Sequence, residues 1–272
     1  MSIKVDEQSM VKSAGEKDLA MVETTEREFS CKTKGPDFLI IGTKKSATSA
    51  IYSYINEHPQ VIPCVRKEMH FFSTHYSKGI EWYLSHFYPI RENIRTGKSY
   101  LTGEASPGYL GNEQAARRIL NHFPNVKLIV SLRNPIDRAV SDYYHRAKTA
   151  KNENCSLEEA LDINDFTHSG KYLNRGKYIH GIKSWMEVFP NKQQWLIIRY
   201  EDLISEPIKL RKKVFSFLNI PDKTNIDFTQ KVYANKYDYP KITVEKRMEL
   251  NEYFHESNQQ LEKFLNMSFD WK

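Results

Sequence analysis

Two stretches of this 272-residue chain carry residue types in an order that suits the binding of anions. The first is Gly42-Thr43-Lys44-Lys45-Ser46-Ala47-Thr48-Ser49, in which a glycine, two ammonium groups and several hydroxyls follow an apolar run. A loop of that kind entering a helix gathers backbone N–H groups and the positive end of the helix dipole, which suits a phosphate. The same residues could also be an ordinary turn with a solvated lysine pair and a Thr or Ser helix cap. The second stretch, Leu132-Arg133-Asn134-Pro135 onward to Ser141, sets an arginine at a strand end and a hydroxyl inside the next helix. Together those two groups can grip a second phosphate by charge-assisted hydrogen bonds. Two grips at two strand ends of one sheet suit a ligand with two separated anionic groups, and a nucleotide bisphosphate is such a ligand.

The elements around these loops alternate. Continuous apolar or extended runs at Phe38-Leu39-Ile40-Ile41, Val61-Ile62, Tyr100-Leu101-Thr102-Gly103, Val126 to Leu132 and Trp195 to Ile198 predict strands. Helical spacing is predicted after Thr48 as far as His58-Pro59, around Ile80 to Phe87, and over Asn112–Phe123, Ile136–Ala150, Tyr178–Phe189, Pro207–Leu218 and Val244–Phe264. Strands alternating with helices predict an α/β fold, a single domain with a mostly parallel sheet flanked by helices. Residues 35–272 are expected to form that domain, and residues 1–34 a polar, flexible extension.

Composition narrows the function. With 40% hydrophobic and 27% charged residues the chain is neither disordered nor, lacking an apolar run of about 18 residues, membrane-spanning. Met1 to Lys34 hold no apolar run of the kind a secretory signal needs. Cys31, Cys64 and Cys155 are widely spaced and make no C-x-x-C, so reduced thiols and a cytoplasmic location are expected. A net charge of +6 favours anionic ligands, but no run of five basic residues points to nucleic acid, and no membrane partner is expected. Metal sites of the H-E-x-x-H kind, the G-x-S-x-G elbow, G-x-G-x-x-G and a complete G-x-x-x-x-G-K-[ST] are all absent from the sequence.

Four motifs in one order carry a family resemblance. They are Ile40-Ile41-Gly42 through Ser49, Lys67-Glu68-Met69-His70-Phe71-Phe72, Ser131-Leu132-Arg133-Asn134-Pro135 with Ser141, and Tyr253-Phe254-His255-Glu256 through Phe269-Asp270-Trp271. The chain resembles sulfotransferases that use 3′-phosphoadenosine 5′-phosphosulfate (PAPS), in particular the heparan sulfate branch. The resemblance implies a P-loop-like phosphosulfate loop at Lys44, Lys45, Ser46, Ala47, Thr48 and Ser49, and a 3′-phosphate grip at Arg133 and Ser141. It implies Glu68 as catalytic base, Lys45 as the cation that steadies the leaving phosphate, and 3′,5′-adenosine bisphosphate (PAP) as product.

Sulfuryl transfer needs such groups because charge builds on the leaving oxygen while a proton leaves the acceptor. A base in this role is expected to be a partly desolvated carboxylate with its pKa moved toward neutrality. His70 is the rival base, on the same side as Glu68 if the segment is extended, or else a packed, hydrogen-bonded histidine. Phe71, Phe72, Trp82 and Tyr83 are expected in the core or cleft wall. Tyr143, Tyr144, Arg175 and Tyr178 are further candidates for lining the cleft.

Departures from the family pattern bear on the acceptor. Ser46-Ala47 stand in place of a glycine pair, Ala105 where some relatives place a lysine, and Ser73 where some place an acid. The cysteine pair of a late cofactor loop is missing, and the resemblance implies Lys236 as the remnant of that loop's basic, cofactor-binding contact. With a cytoplasmic location these favour a small acceptor carrying a hydroxyl or amine, such as an alkaloid-like natural product or a lipid-linked sugar. The alternatives are a glycan acceptor, a nucleoside-phosphate kinase on a similar sheet, and a noncatalytic anion or heparin binder.

Overall fold

Phe38-Leu39-Ile40-Ile41 is buried on both faces, which a strand achieves in the middle of a parallel sheet covered on each side. Each such side chain taken from water contributes about 1.5–3 kcal/mol. The computed structural model describes residues 29–32, 35–88, 90–93, 100–149, 155–165, 167, 170, 172–223, 225–229 and 242–271. In chain order the strands are β1 (Phe29–Lys32), β2 (Phe38–Gly42), β3 (Val61–Pro63), β4 (Ile90–Asn93), β5 (Leu101–Ala105), β6 (Lys127–Leu132) and β7 (Trp195–Arg199). The helices are α1 (Thr48–Asn56), α2 (Ile80–Leu84), α3 (Glu113–His122), α4 (Pro135–Thr149), α5 (Leu157–Ala160), α6 (Tyr178–Val188), α7 (Asp202–Ser205), α8 (Pro207–Leu218) and α9 (Val244–Leu265).

Five strands form one sheet in the order β3-β5-β2-β6-β7, and every neighbouring pair is parallel. The chain leaves β2 toward β3 and β5 on one side and returns to β6 on the other. The carboxyl ends of β5, β2 and β6 therefore surround the point where the strand order reverses, which is where an open α/β sheet places its ligand. The expected α/β architecture is thus present.

Helix ends follow local chemistry. Asn112 caps α3 by accepting from the Ala115 N–H at 2.9 Å, Thr243 caps α9 by accepting from Lys246, and Ser156 and Glu159 form a capping box on α5. One large core spreads over both faces of the sheet, and a smaller one gathers Ile136, Ala139, Tyr172, Leu173, Leu250 and Phe254 between α4 and α9.

Two features differ from expectation. Within the polar segment expected before residue 35, Phe29–Lys32 form β1 and pair antiparallel with β4, a two-stranded ribbon with no apolar signature in the sequence. The segment carrying Glu68 and His70 is not extended: both residues adopt left-handed backbone, with φ of 56° and 49°. A tight turn follows at Phe71–His75, and it buries Phe71 and Phe72 completely against Tyr83.

Candidate active site

The loop after β2 is held from beneath. The Thr43 N–H donates to the Ser131 carbonyl at 2.9 Å, and Thr43 Oγ1 donates to the same oxygen at 3.1 Å. Thr43 Oγ1 also meets Ser46 Oγ at 2.7 Å. The Ser46 hydroxyl is therefore turned inward and fully buried, so Ser46 offers a ligand its backbone rather than its side chain. Gly42 is required by close approach, since a Cβ there would lie 2.9 Å from Leu110 Cβ. Lys45 and Ala47 take left-handed backbone, with φ of 69° and 57°, and of the Ser46-Ala47 pair that stands in place of the family's glycines only Ala47 does so.

Ala47 stands at the N-cap of α1 and provides no side-chain cap, so the first-turn N–H groups of this nine-residue helix carry no capping hydroxyl or carboxylate. Helix α4 is different. Asn134 Oδ1 accepts from Ile136 N at 2.9 Å and closes that N-terminus. An anion at β6 must then be met by side chains, and at β2 by backbone as well.

Arg133 leaves the end of β6 and reaches the first loop, its Nη1 donating to the Lys45 carbonyl at 3.1 Å. Its guanidinium lies over the Tyr200 ring at 4.5 Å, and its own carbonyl accepts from Tyr178 Oη at 2.9 Å. Tyr178 in turn packs edge-on to Trp271, tying the tail motif to the arginine. Arg133 is thereby fixed, and among the described residues one of its five donors is placed, on the Lys45 carbonyl. Ser141 lies half-buried on α4, beside the buried Asp142. Lys236 lies outside the described residues.

The third part of the site comes from the strap between β3 and α2. The Glu68 N–H donates to the Ala105 carbonyl at 3.0 Å, which ties the strap to the end of β5. Lys67 Nζ donates to Ser49 Oγ, joining the strap to the first turn of α1. Glu68 is 43% exposed, with Lys67 Nζ at 3.5 Å and His70 Nε2 at 3.8 Å. The His70 imidazole holds the Glu68 carboxyl below the usual range; burial opposes this, and Lys67 adds to the lowering. The expectation of a base moved toward neutrality is therefore corrected: Glu68 is an ionised carboxylate among cations. The meeting of Glu68 and His70 comes from two left-handed residues rather than from strand alternation.

Burial lowers the Lys44 and Lys45 ammonium groups below their ordinary value; Asp142 opposes this at Lys45, while Arg133 adds to it. Glu68 acts on both lysines, so the two loops and the strap share one electrostatic neighbourhood. Lys44 is aimed at the strap: a Cβ built on Gly108 would lie 3.5 Å from both Lys44 Cε and His70 Cε1. This places Lys44 beside His70.

Several site residues were not singled out from sequence. Asp142, with 4% of its side chain exposed, receives Arg138 at 3.3 Å and Arg175 at 3.5 Å, with Arg146 at 3.6 Å. His145 lies in the field of Lys45 and Glu68. Arg175 joins this cluster through Asp142. Tyr178 is instead buried as a support, and Tyr143 donates to the Cys155 carbonyl. Spacing could have found Asp142, since it stands four residues from both Arg138 and Arg146 on one helix face.

Glu104 is the least expected residue. It is fully buried at the end of β5, and burial pushes its carboxyl up to about 7. Among the described residues no group of three His, Cys, Asp or Glu could hold a metal ion, and no helix is long and apolar enough to cross a membrane. A cavity of about 690 Å³ lined by Arg199, Asp202, Glu206 and Lys213 shares no residue with the cluster around Lys45.

Lys45 and Arg133 thus meet at the switch point of the α/β sheet, within electrostatic reach of the Glu68 carboxylate. Residues 35–266 match the sulfotransferase domain family, and the chain belongs to that family of transferases. The membrane-associated sulfotransferase kil1 of Dictyostelium discoideum is 27% identical across 87% of this chain and 66% of its own length. Heparan sulfate glucosamine 3-O-sulfotransferase 5 of Mus musculus is 29% identical across 87% of this chain and 74% of its own. A bifunctional heparan sulfate N-deacetylase/N-sulfotransferase 1 of Caenorhabditis briggsae is 31% identical across 74% of this chain, which spans 25% of that relative. The fold matches a sulfotransferase crystal structure from Alicyclobacillus acidocaldarius with a TM-score of 0.70 at 24% identity, covering 86% of this chain and 97% of that one. It also matches a mouse sulfotransferase crystallised with PAP, with a TM-score of 0.55 at 18% identity, covering 84% of this chain and 86% of the other.

Proposed function

We propose that this chain transfers the sulfuryl group of PAPS to a hydroxyl or amine, with Lys45 and Arg133 gripping the two phosphate ends of the donor and Glu68 acting as base. The observation that carries the reading is the 3.1 Å hydrogen bond from Arg133 to the Lys45 carbonyl, which makes the two anion grips parts of one cleft. The residues present suit the donor: an uncapped α1 start and Lys45 for the 5′ end, and a fixed guanidinium for the 3′ end. Bound there, the donor supplies a sulfuryl group that moves in line to the acceptor oxygen or nitrogen.

Lys45 holds positive charge where the leaving phosphate oxygen gains negative charge. Glu68 accepts the acceptor's proton on its carboxylate, a role that typically contributes about 10²–10⁴-fold in rate. His70 and Lys67 keep that carboxylate ionised and aimed. Lys44 and Arg175 add cations on the acceptor side, which suits an acceptor bearing anionic groups. The names of the heparan sulfate relatives point the same way, so a glycan precedes the small molecule expected from sequence as the first acceptor to test. Cytoplasmic residence goes with the small-molecule acceptor, so cell fractionation bears on the choice between the two.

The test incubates the chain with PAPS and either a partly desulfated heparan oligosaccharide or a panel of small phenols and amines, read as a mass gain of one SO₃. Glu68→Gln should remove turnover by roughly 10²-fold or more while PAP still raises the melting temperature. Turnover that survives this substitution would assign the base elsewhere, with His70 next in line.

A further inference from the structure

We propose that Glu104 is a positioning residue for this transfer: its buried carboxylate, acting with Ser106, clamps the backbone at Met69 and His70 and so holds Glu68 and His70 toward the Lys45 loop. The proposal rests on the sulfotransferase reading above. Glu104 Oε1 accepts from the Met69 N–H at 3.2 Å and from the Ser106 hydroxyl. The Ser106 oxygen accepts in turn from the His70 N–H at 3.0 Å. Tyr83 Oη donates to Glu104 Oε2 at 3.5 Å, and the neighbouring Glu68 N–H is already on the Ala105 carbonyl. Consecutive amides of residues 68, 69 and 70 therefore all end on residues 104–106.

The backbone shows why a clamp is needed. Glu68 and His70 both hold left-handed φ, a conformation costing a non-glycine residue about 1–2 kcal/mol that persists only where surroundings enforce it. A carboxylate with no exposure is also costly unless it is hydrogen-bonded, and three donors converge on this one. The titratable groups facing Glu104 are His70, Tyr83, Tyr109 and Cys64. Those facing Glu68 are Lys67 and His70, with Lys44, Lys45 and His145 across the cleft. Because His70 is the chief cause of the lowered Glu68 pKa, a strap that slips loses that contact and lets Glu68 rise.

The experiment compares wild type with Ser106→Ala, Glu104→Ala and Glu104→Gln, using PAPS and the desulfated heparan oligosaccharide as probes. Ser106→Ala should lower kcat at least tenfold, leave KM for PAPS within twofold and keep the PAP-induced thermal shift. It should also move the acid limb of the kcat profile to higher pH, which loss of packing alone would not do. Glu104→Ala should lose more, whereas Glu104→Gln, which keeps an acceptor oxygen for Met69 and Ser106, should retain kcat within about threefold. A second arm needs no acceptor: hydrogen exchange at the His70 amide should quicken at least tenfold in Ser106→Ala and stay slow in Glu104→Gln. Wild-type kcat and an unmoved acid limb in Ser106→Ala, or unchanged His70 exchange, would overturn the clamp. A wild-type chain with neither turnover nor a PAP shift would instead overturn the sulfotransferase reading, and the exchange arm would still decide the clamp.

Discussion

Replacing Glu104 by glutamine should make the protein more stable relative to wild type as the pH rises. The carboxyl has an ordinary value of 4.5 and sits at about 7 when buried in the folded chain. The native state therefore holds an extra proton between those values, and wild type loses stability as pH climbs through that window. Each unit is worth about 1.4 kcal/mol, so between pH 5 and 8 wild type should fall behind the non-titrating glutamine by roughly 2–3 kcal/mol. In a domain of this size that corresponds to a melting-temperature gap widening by about 5–10 °C. Differential scanning calorimetry of both proteins from pH 5 to 8 measures it. A gap that stays constant across the range would mean that Glu104 is already ionised at acid pH, and the burial argument would fail.

Two further substitutions probe how the cleft is built. Ala47 holds a φ of 57°, so Ala47→Gly should raise stability by about 0.5–1 kcal/mol, and an unchanged or lower melting temperature would contradict strain at that position. On α6, a Cβ at Gly181 would lie 2.8 Å from the Leu110 carbonyl oxygen, so Gly181→Ala should cost about 1–3 kcal/mol despite better helix propensity. A urea midpoint equal to wild type would show that α6 and the turn at Leu110 can separate freely.

The sheet was legible because its strands are short continuous apolar runs, and a run such as Phe38 to Ile41 has no other stable place than the centre of a covered sheet. The Lys45 loop and Arg133 were legible for the same reason, since each follows a readable strand directly. The strap was read only in part. Its residues were found, but two left-handed positions within three residues follow from contacts with β5, and local sequence does not encode those contacts. Glu104 was invisible because, besides neighbouring Ser106, its donors lie 35 residues away at Met69 and 21 away at Tyr83, so only the folded chain brings them to one carboxylate. The lowered pKa of Glu68 was missed on the same ground, because it depends on His70 folding back beside it.

The most direct measurement compares PAP with 5′-AMP, which lacks the 3′-phosphate, by calorimetric titration of wild type and Arg133→Ala. Wild type should prefer PAP by about 10- to 100-fold, the worth of a charge-assisted hydrogen bond to that phosphate. Arg133→Ala should bind the two nucleotides almost alike, while Lys45→Ala weakens both. If Arg133→Ala still discriminates between them as wild type does, the guanidinium at the end of β6 is not a nucleotide grip and the cleft has been assigned to the wrong ligand.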